Sequence, residues 1–141
     1  MKLPIRLVID EAPRREDRKT LERAIDDFNA RTVPGRDRRF AILLRDAEGA
    51  LMGGLDGVIG WEWLFVDNLW VRDELQRQGH GRDLLARGEL YAIEHGCHSA
   101  WLETFQALGF YRKHGYTVFG MLPDYPAGQT RYFLMKRLTP H

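Results

Sequence analysis

The stretch Gln76-Arg77-Gln78-Gly79-His80-Gly81-Arg82 concentrates residue types that can hold a diphosphate. Its two glycines let successive backbone N–H groups turn toward one point, and a helix starting there adds partial positive charge from unpaired amides. Arg77 and Arg82 can add charge-assisted hydrogen bonds from the side. A glycine pair alone is equally compatible with an ordinary strand-to-helix turn carrying solvated charges. Two other nucleotide-binding patterns fail on residues. The string Gly-x-x-x-x-Gly-Lys-Ser/Thr is absent, and a dinucleotide fingerprint needs a small residue where Leu84 stands, although Glu103 could serve as its acid.

A second motif lies downstream, Ala107-x-x-Phe110-Tyr111-x-x-x-Gly115-Tyr116. With Gln76-x-x-Gly79-x-Gly81 placed after a strand ending Leu69-Trp70-Val71, the pair resembles the two ordered motifs of the Gcn5-related N-acetyltransferases. The resemblance is strongest from Trp61 to Met121 and topological before that. It implies an acyl-CoA N-acyltransferase-like fold, with acetyl-coenzyme A as co-substrate and no metal.

The resemblance also implies roles. The backbone of Leu69, Trp70 and Val71 would take the pantetheine arm, the amides from Arg77 through Gln78, Gly79, His80 and Gly81 to Arg82 the pyrophosphate, with Gln76 as a side-chain contact and Phe110 beside it. Tyr111 matches the tyrosine that gives a proton to the departing thiolate. A phenol of pKa about 10 can protonate a thiolate whose acid has a pKa of about 8.5 when the transfer is concerted with departure. Outside the motif, Tyr111 would read as a core tyrosine. Thr104 stands where many members carry Asn against the coenzyme arm, keeping a hydroxyl and losing the amide.

The attacking amine must lose a proton, so a base or a water chain to one is required. Asp67 is the first candidate, sharing a strand face with Leu69; Glu62 and Glu103 follow, and each of the three reads more readily as an electrostatic or hydrogen-bonding residue than as the base. Trp61, Trp63, Phe65 and Trp70 crowd the same strand and suit core packing, with one or two free to wall an acceptor pocket. Leu122 to Gly128 is another candidate wall: prolines stiffen it, and Asp124 and Tyr125 offer anionic and aromatic contacts to an ammonium group.

These residues need elements to position them. Alternation of Ile5, Leu7 and Ile9 predicts an opening strand over Leu3 to Glu11, and Leu21, Ile25 and Phe28 recur at helical spacing from Glu16 to about Thr32. Arg39 to Arg45 and Leu51 to Ile59 flank a turn-rich link and predict a hairpin, with bulges at Gly53, Gly54 or Gly57. A central strand over Trp61 to Val71 follows, then a helix from Gly81 to His95, a strand Ser99 to Thr104, a short helix Ala107 to His114, and strands Tyr116 to Met121 and Thr130 to Leu138. This order predicts a mixed α+β fold. Its central sheet, mostly antiparallel by the resemblance, is flanked by helices, with one parallel crossover into Ser99 to Thr104.

The 141 residues suit one domain spanning 1–141. Hydrophobic residues at 44% and charged ones at 29% exclude a disordered class, and a net charge of +1 lacks the basic field of a nucleic-acid binder. Apolar runs fall short of the roughly 18 residues of a membrane helix and the start lacks a secretory core, so the expectation is a cytoplasmic protein without a membrane partner. A lone Cys97 reads as a small core residue rather than a catalytic thiol. The favoured function is acetyl transfer to a small-molecule amine in a ternary complex. A protein acceptor and a non-catalytic acyl-coenzyme A module are the alternatives, and a homodimer is possible because the family often forms one.

Overall fold

The computed structural model describes residues 4–138. The chain divides into two compact units, Met1–Arg36 and Asp37–His141. The first carries helix α1 over Arg15–Ala30, none of whose residues is buried. Leu3 of the predicted opening strand lies outside the described residues, and residues 4–11 form no strand. Alternation supplies a strand's two faces but not its ladder. Ile5, Leu7 and Ile9 are 89%, 102% and 92% exposed, and Pro4 has no N–H to donate.

The second unit is a six-stranded mixed sheet in the order β1-β2-β3-β4-β6-β5, with β1 Arg38–Arg45, β2 Leu51–Gly60, β3 Trp63–Val71, β4 Ser99–Thr104, β5 Thr117–Pro123 and β6 Thr130–Arg137. Helix α2 spans His80–Glu94 and helix α3 Leu108–Lys113. The predicted hairpin is β1–β2, closed by Asp46, whose Oδ1 accepts the amides of Glu48 and Ala50. The strand expected from Trp61 begins at Trp63, because Trp61 and Glu62 turn the chain between β2 and β3 at φ 47° and 68°.

Strand alternation sorts the core. Leu64 and Val66 on β3, Ala100 and Leu102 on β4 and Leu134 on β6 are buried against one face, where α2 presents Leu84, Leu85 and Ala92. Gly88 lets that helix close in, since a Cβ there would stand 3.0 Å from Leu55 Cδ2. Glu89, one position on, accepts hydrogen bonds from Tyr116 Oη at 2.8 Å and Lys136 Nζ at 2.9 Å, tying α2 to the last two strands. Cys97 is 1% exposed, as expected of a core thiol, and burial with the nearby Glu62 pushes its pKa up.

Two irregularities shape the middle of the sheet. The β2–β3 register shifts between Asp56 and Gly57, where Gly57 faces Val66 and Asp56 faces Asn68, leaving Asp67 as the extra residue of a bulge. The bulge expected at the glycines of β2 thus falls on its neighbour β3, opposite Gly57, and the extra residue of β2 itself is Met52, where the β1–β2 register shifts. The parallel β3–β4 ladder covers only Trp63 to Phe65 against Ser99 to Trp101, and beyond it the two strands run on unpaired.

Candidate active site

The end of β3 leads through a single 3-10 turn, Asp73–Leu75, into the glycine-bearing segment. Gln76 Nε2 donates to the Val71 carbonyl at 3.1 Å and to Asp73 Oδ1 at 3.4 Å, so this side chain clasps the loop to the strand it leaves. Gly79 caps α2 in the left-handed region at φ 87°, and a Cβ there would meet Arg82 Nη2 at 2.7 Å. The positive φ favours glycine, and any side chain there would have to displace the Arg82 guanidinium. Gly81 opens the first turn of α2, its missing side chain facing the Phe110 ring at 3.5 Å.

A cavity of about 690 Å³ runs along these elements. Leu69 and Val71 line it from β3; Leu75, Gln76, Arg77, Gly79, His80, Gly81 and Arg82 from the loop and α2; Ala107, Phe110, Tyr111, Lys113 and His114 from α3 and its ends. Three cations and no carboxylate face it. Unpaired amides of the first turn of α2 add to that sign. The arrangement suits an elongated polyanion carrying an apolar arm.

Tyr111 is 8% exposed at the cavity wall, packed edge-on against Phe110 and Tyr116. Burial raises its pKa above the ordinary 10.0, so the phenol carries its proton throughout the neutral range. A protonated hydroxyl in a cavity of positive sign is placed to give a proton to a leaving anion.

The structure thus brings together Leu69, Val71, Gln76, Arg77, Gly79, His80, Gly81, Arg82, Phe110 and Tyr111, and leaves others apart. Trp70 is 50% exposed and outside the lining, as adjacent residues of a strand alternate between faces. The Gln78 side chain donates from Nε2 to the Glu74 carbonyl, and its backbone amide is the group expected at the pyrophosphate. Thr104 Oγ1 accepts the Ala107 amide at 3.1 Å, setting the entry to α3. Leu75, Lys113 and His114 also line the cavity. The basic last turn of α3 was the signal for Lys113, whose direction depends on helix phase.

The three candidate bases separate. Asp67 is exposed at the bulge. Glu62 lies in the β2–β3 turn, 3.5 Å from His98 Nε2, at the opposite end of β3 from Leu69 and Val71. Glu103 sits just past the point where β3 and β4 part, on the sheet face opposite Leu102, and accepts from Arg131 Nη1 at 3.1 Å. The Arg131 guanidinium lies 4.1 Å from the Tyr125 ring centroid and 5.4 Å from that of Phe105. Phe65 and Trp101 pack at a tilt on the same face, with ring centroids 4.4 Å apart. Asp124 Oδ1 accepts the Gly128 amide, closing the loop that carries Tyr125. Among the described residues no group of three or more His, Cys, Asp or Glu is arranged to hold a metal. No helix among them is long and apolar enough to cross a membrane.

A loop-and-helix anion cradle, a central strand that parts from its neighbour and a buried phenol at the cavity wall make up the candidate site. Residues 5–116 match the Acetyltransferase (GNAT) family, and the chain belongs to it. The chain is 46% identical over 93 residues to a blasticidin-S acetyltransferase of Streptomyces morookaense, an alignment covering 64% of this chain and 68% of that protein. Its fold matches the crystal structure of an Agrobacterium tumefaciens acetyltransferase with a TM-score of 0.89 at 30% identity, covering 94% and 99% of the two chains. A Bacillus cereus acetyltransferase structure matches with a TM-score of 0.80 at 29% identity, covering 92% and 97%. The protein is an N-acetyltransferase enzyme.

Proposed function

We propose that the chain, acting as one domain over residues 1–141, moves the acetyl group of acetyl-coenzyme A to a small-molecule amine by direct attack in a ternary complex. One observation carries this reading. A cavity with three cations and no carboxylate ends on a buried, protonated Tyr111 beside the free edge of β3. The amides at the start of α2 hold the pyrophosphate, and the Leu69 to Val71 backbone holds the pantetheine arm. The amine nitrogen attacks the thioester carbonyl, the C–S bond breaks, and the departing sulfur takes the Tyr111 proton. The proton lost by the amine passes to a carboxylate or water.

For the acceptor, the relative named for blasticidin S supports a small molecule of the antibiotic class. Glu103 supports a cationic one: it is partly exposed and pairs with Arg131 through one oxygen, leaving the other for an ammonium ion, while the Tyr125 and Phe105 rings are already taken by the Arg131 guanidinium. Of the candidate bases, Asp67 and Glu103 each stand two residues past the parting of β3 and β4; Asp67 is exposed on a bulge while Arg131 holds Glu103 in place, and Glu103 is the one we assign to the acceptor.

Isothermal titration with acetyl-coenzyme A tests the first step. Micromolar binding is expected in the wild type and none in the Gly79→Glu/Gly81→Glu double variant, which fills the cradle with bulk and negative charge. Absence of binding in the wild type would reduce the reading to a shared fold. Turnover is then assayed with blasticidin S, polyamines and lysine-bearing peptides; activity confined to the peptides would reassign the acceptor as protein.

A further inference from the structure

The three cations of the cavity come from two separate elements: Arg77 and Arg82 from the glycine segment, and Lys113 from the last turn of α3. Arg82 is already engaged, with Nε 3.3 Å from Asp83 Oδ1. Among the described residues no carboxylate forms an ion pair with Lys113. Between the two elements stands Phe110, its ring against Gly81 on one side and 4.6 Å from the His114 ring on the other. A ligand with its diphosphate on the start of α2 therefore meets an aromatic ledge next, and a free ammonium beside it.

We infer that Lys113, with the Phe110 and His114 rings, forms a second anion subsite that takes an adenosine 3′-phosphate apart from the diphosphate. The inference rests on the acetyl-coenzyme A reading, whose ligand carries three phosphoryl groups. One is a monoester on the ribose next to a flat base. Its charge near neutral pH is between about −1.5 and −2, more than either pyrophosphate phosphorus carries. The base lies on the ring faces and the monoester reaches the ammonium. A cation in the last turn of α3 also complements the helix dipole. That role alone gives Lys113 an effect on stability and none on which coenzyme is bound.

The test is titration calorimetry of the full chain with acetyl-coenzyme A and with its 3′-dephospho analogue. The wild type is expected to bind acetyl-coenzyme A about tenfold more tightly at low ionic strength, a ratio that shrinks with added salt because Lys113 is exposed. Lys113→Gln brings the ratio close to one by weakening acetyl-coenzyme A alone. Arg112→Ala, on the same helical turn but outside the cavity, leaves the ratio unchanged. Equal affinity of the wild type for both ligands overturns the subsite while leaving the donor assignment intact. So does equal weakening of both by Lys113→Gln, which makes the lysine a general contributor of charge. Failure of the wild type to bind either ligand overturns the donor assignment and the subsite together.

Discussion

On the proposed mechanism, Tyr111 separates binding from chemistry. Replacing it with Phe removes one oxygen at the cavity wall and keeps the ring that packs on Phe110 and Tyr116. A fall in kcat of roughly 100-fold, with acetyl-coenzyme A affinity changed by less than about twofold, is expected from steady-state kinetics and titration. Burial moves the phenol's ionisation upward, so the alkaline limb it contributes to kcat lies above pH 10.0, and Tyr111→Phe lacks that limb. On the acceptor side, Arg131 holds Glu103 and lies against Tyr125. Arg131→Met is expected to raise the amine's KM by roughly tenfold with acetyl-coenzyme A binding unaltered, since it removes the guanidinium that holds the Glu103 carboxylate and the Tyr125 ring in position. A matching loss of coenzyme affinity would show that the pair serves the whole sheet.

At the scale of elements, the cavity lining was largely legible because its information is local. A glycine that must adopt positive φ, a glycine facing Phe110 and a tyrosine three residues into a helix all lie in two short segments, and the strands and helices that carry them follow from hydrophobic period. What escaped depends on partners distant in sequence. Ile5, Leu7 and Ile9 alternate well, but no ladder is written into alternation, and the segment stays irregular. Glu103 gained its role from an arginine on another strand, and Thr104 proved to be tied up by the Ala107 amide. Gly88, inside α2, is a contact point against Leu55. Gly88→Val forces β-branched bulk onto Leu55, and chemical denaturation is expected to register a loss of about 1–3 kcal/mol, against the helix-propensity gain that an exposed glycine would give.

Across the whole molecule, two buried phenols set an upper pH limit. Tyr111 is raised by burial, and Tyr116 by burial and by the adjacent Glu89 carboxylate. Both ionise in the unfolded chain near pH 10 but stay protonated in the folded one. The folded state then binds more protons, so stability is complete below pH about 10 and falls as pH rises beyond it. Urea titrations from pH 8 to 11 are expected to show that decline, and to show it flattened in Tyr116→Phe. A decline of the same steepness in that variant would place the effect elsewhere.

The short β3–β4 ladder has a consequence of its own. Three residue pairs join two half-sheets, β1-β2-β3 and β4-β6-β5, and past Phe65 and Trp101 the facing edges leave peptide groups without a strand to pair with. Such groups trade their hydrogens with solvent far faster than the ladders on either side. The seam is therefore a built-in reporter. Deuterium uptake by peptides spanning Val66 to Val71 is expected to slow when the acyl donor lies along that edge, and the outer β1–β2 pairing supplies an internal reference that does not change. Occupancy of the site becomes readable on a mass spectrometer before any acceptor has been found.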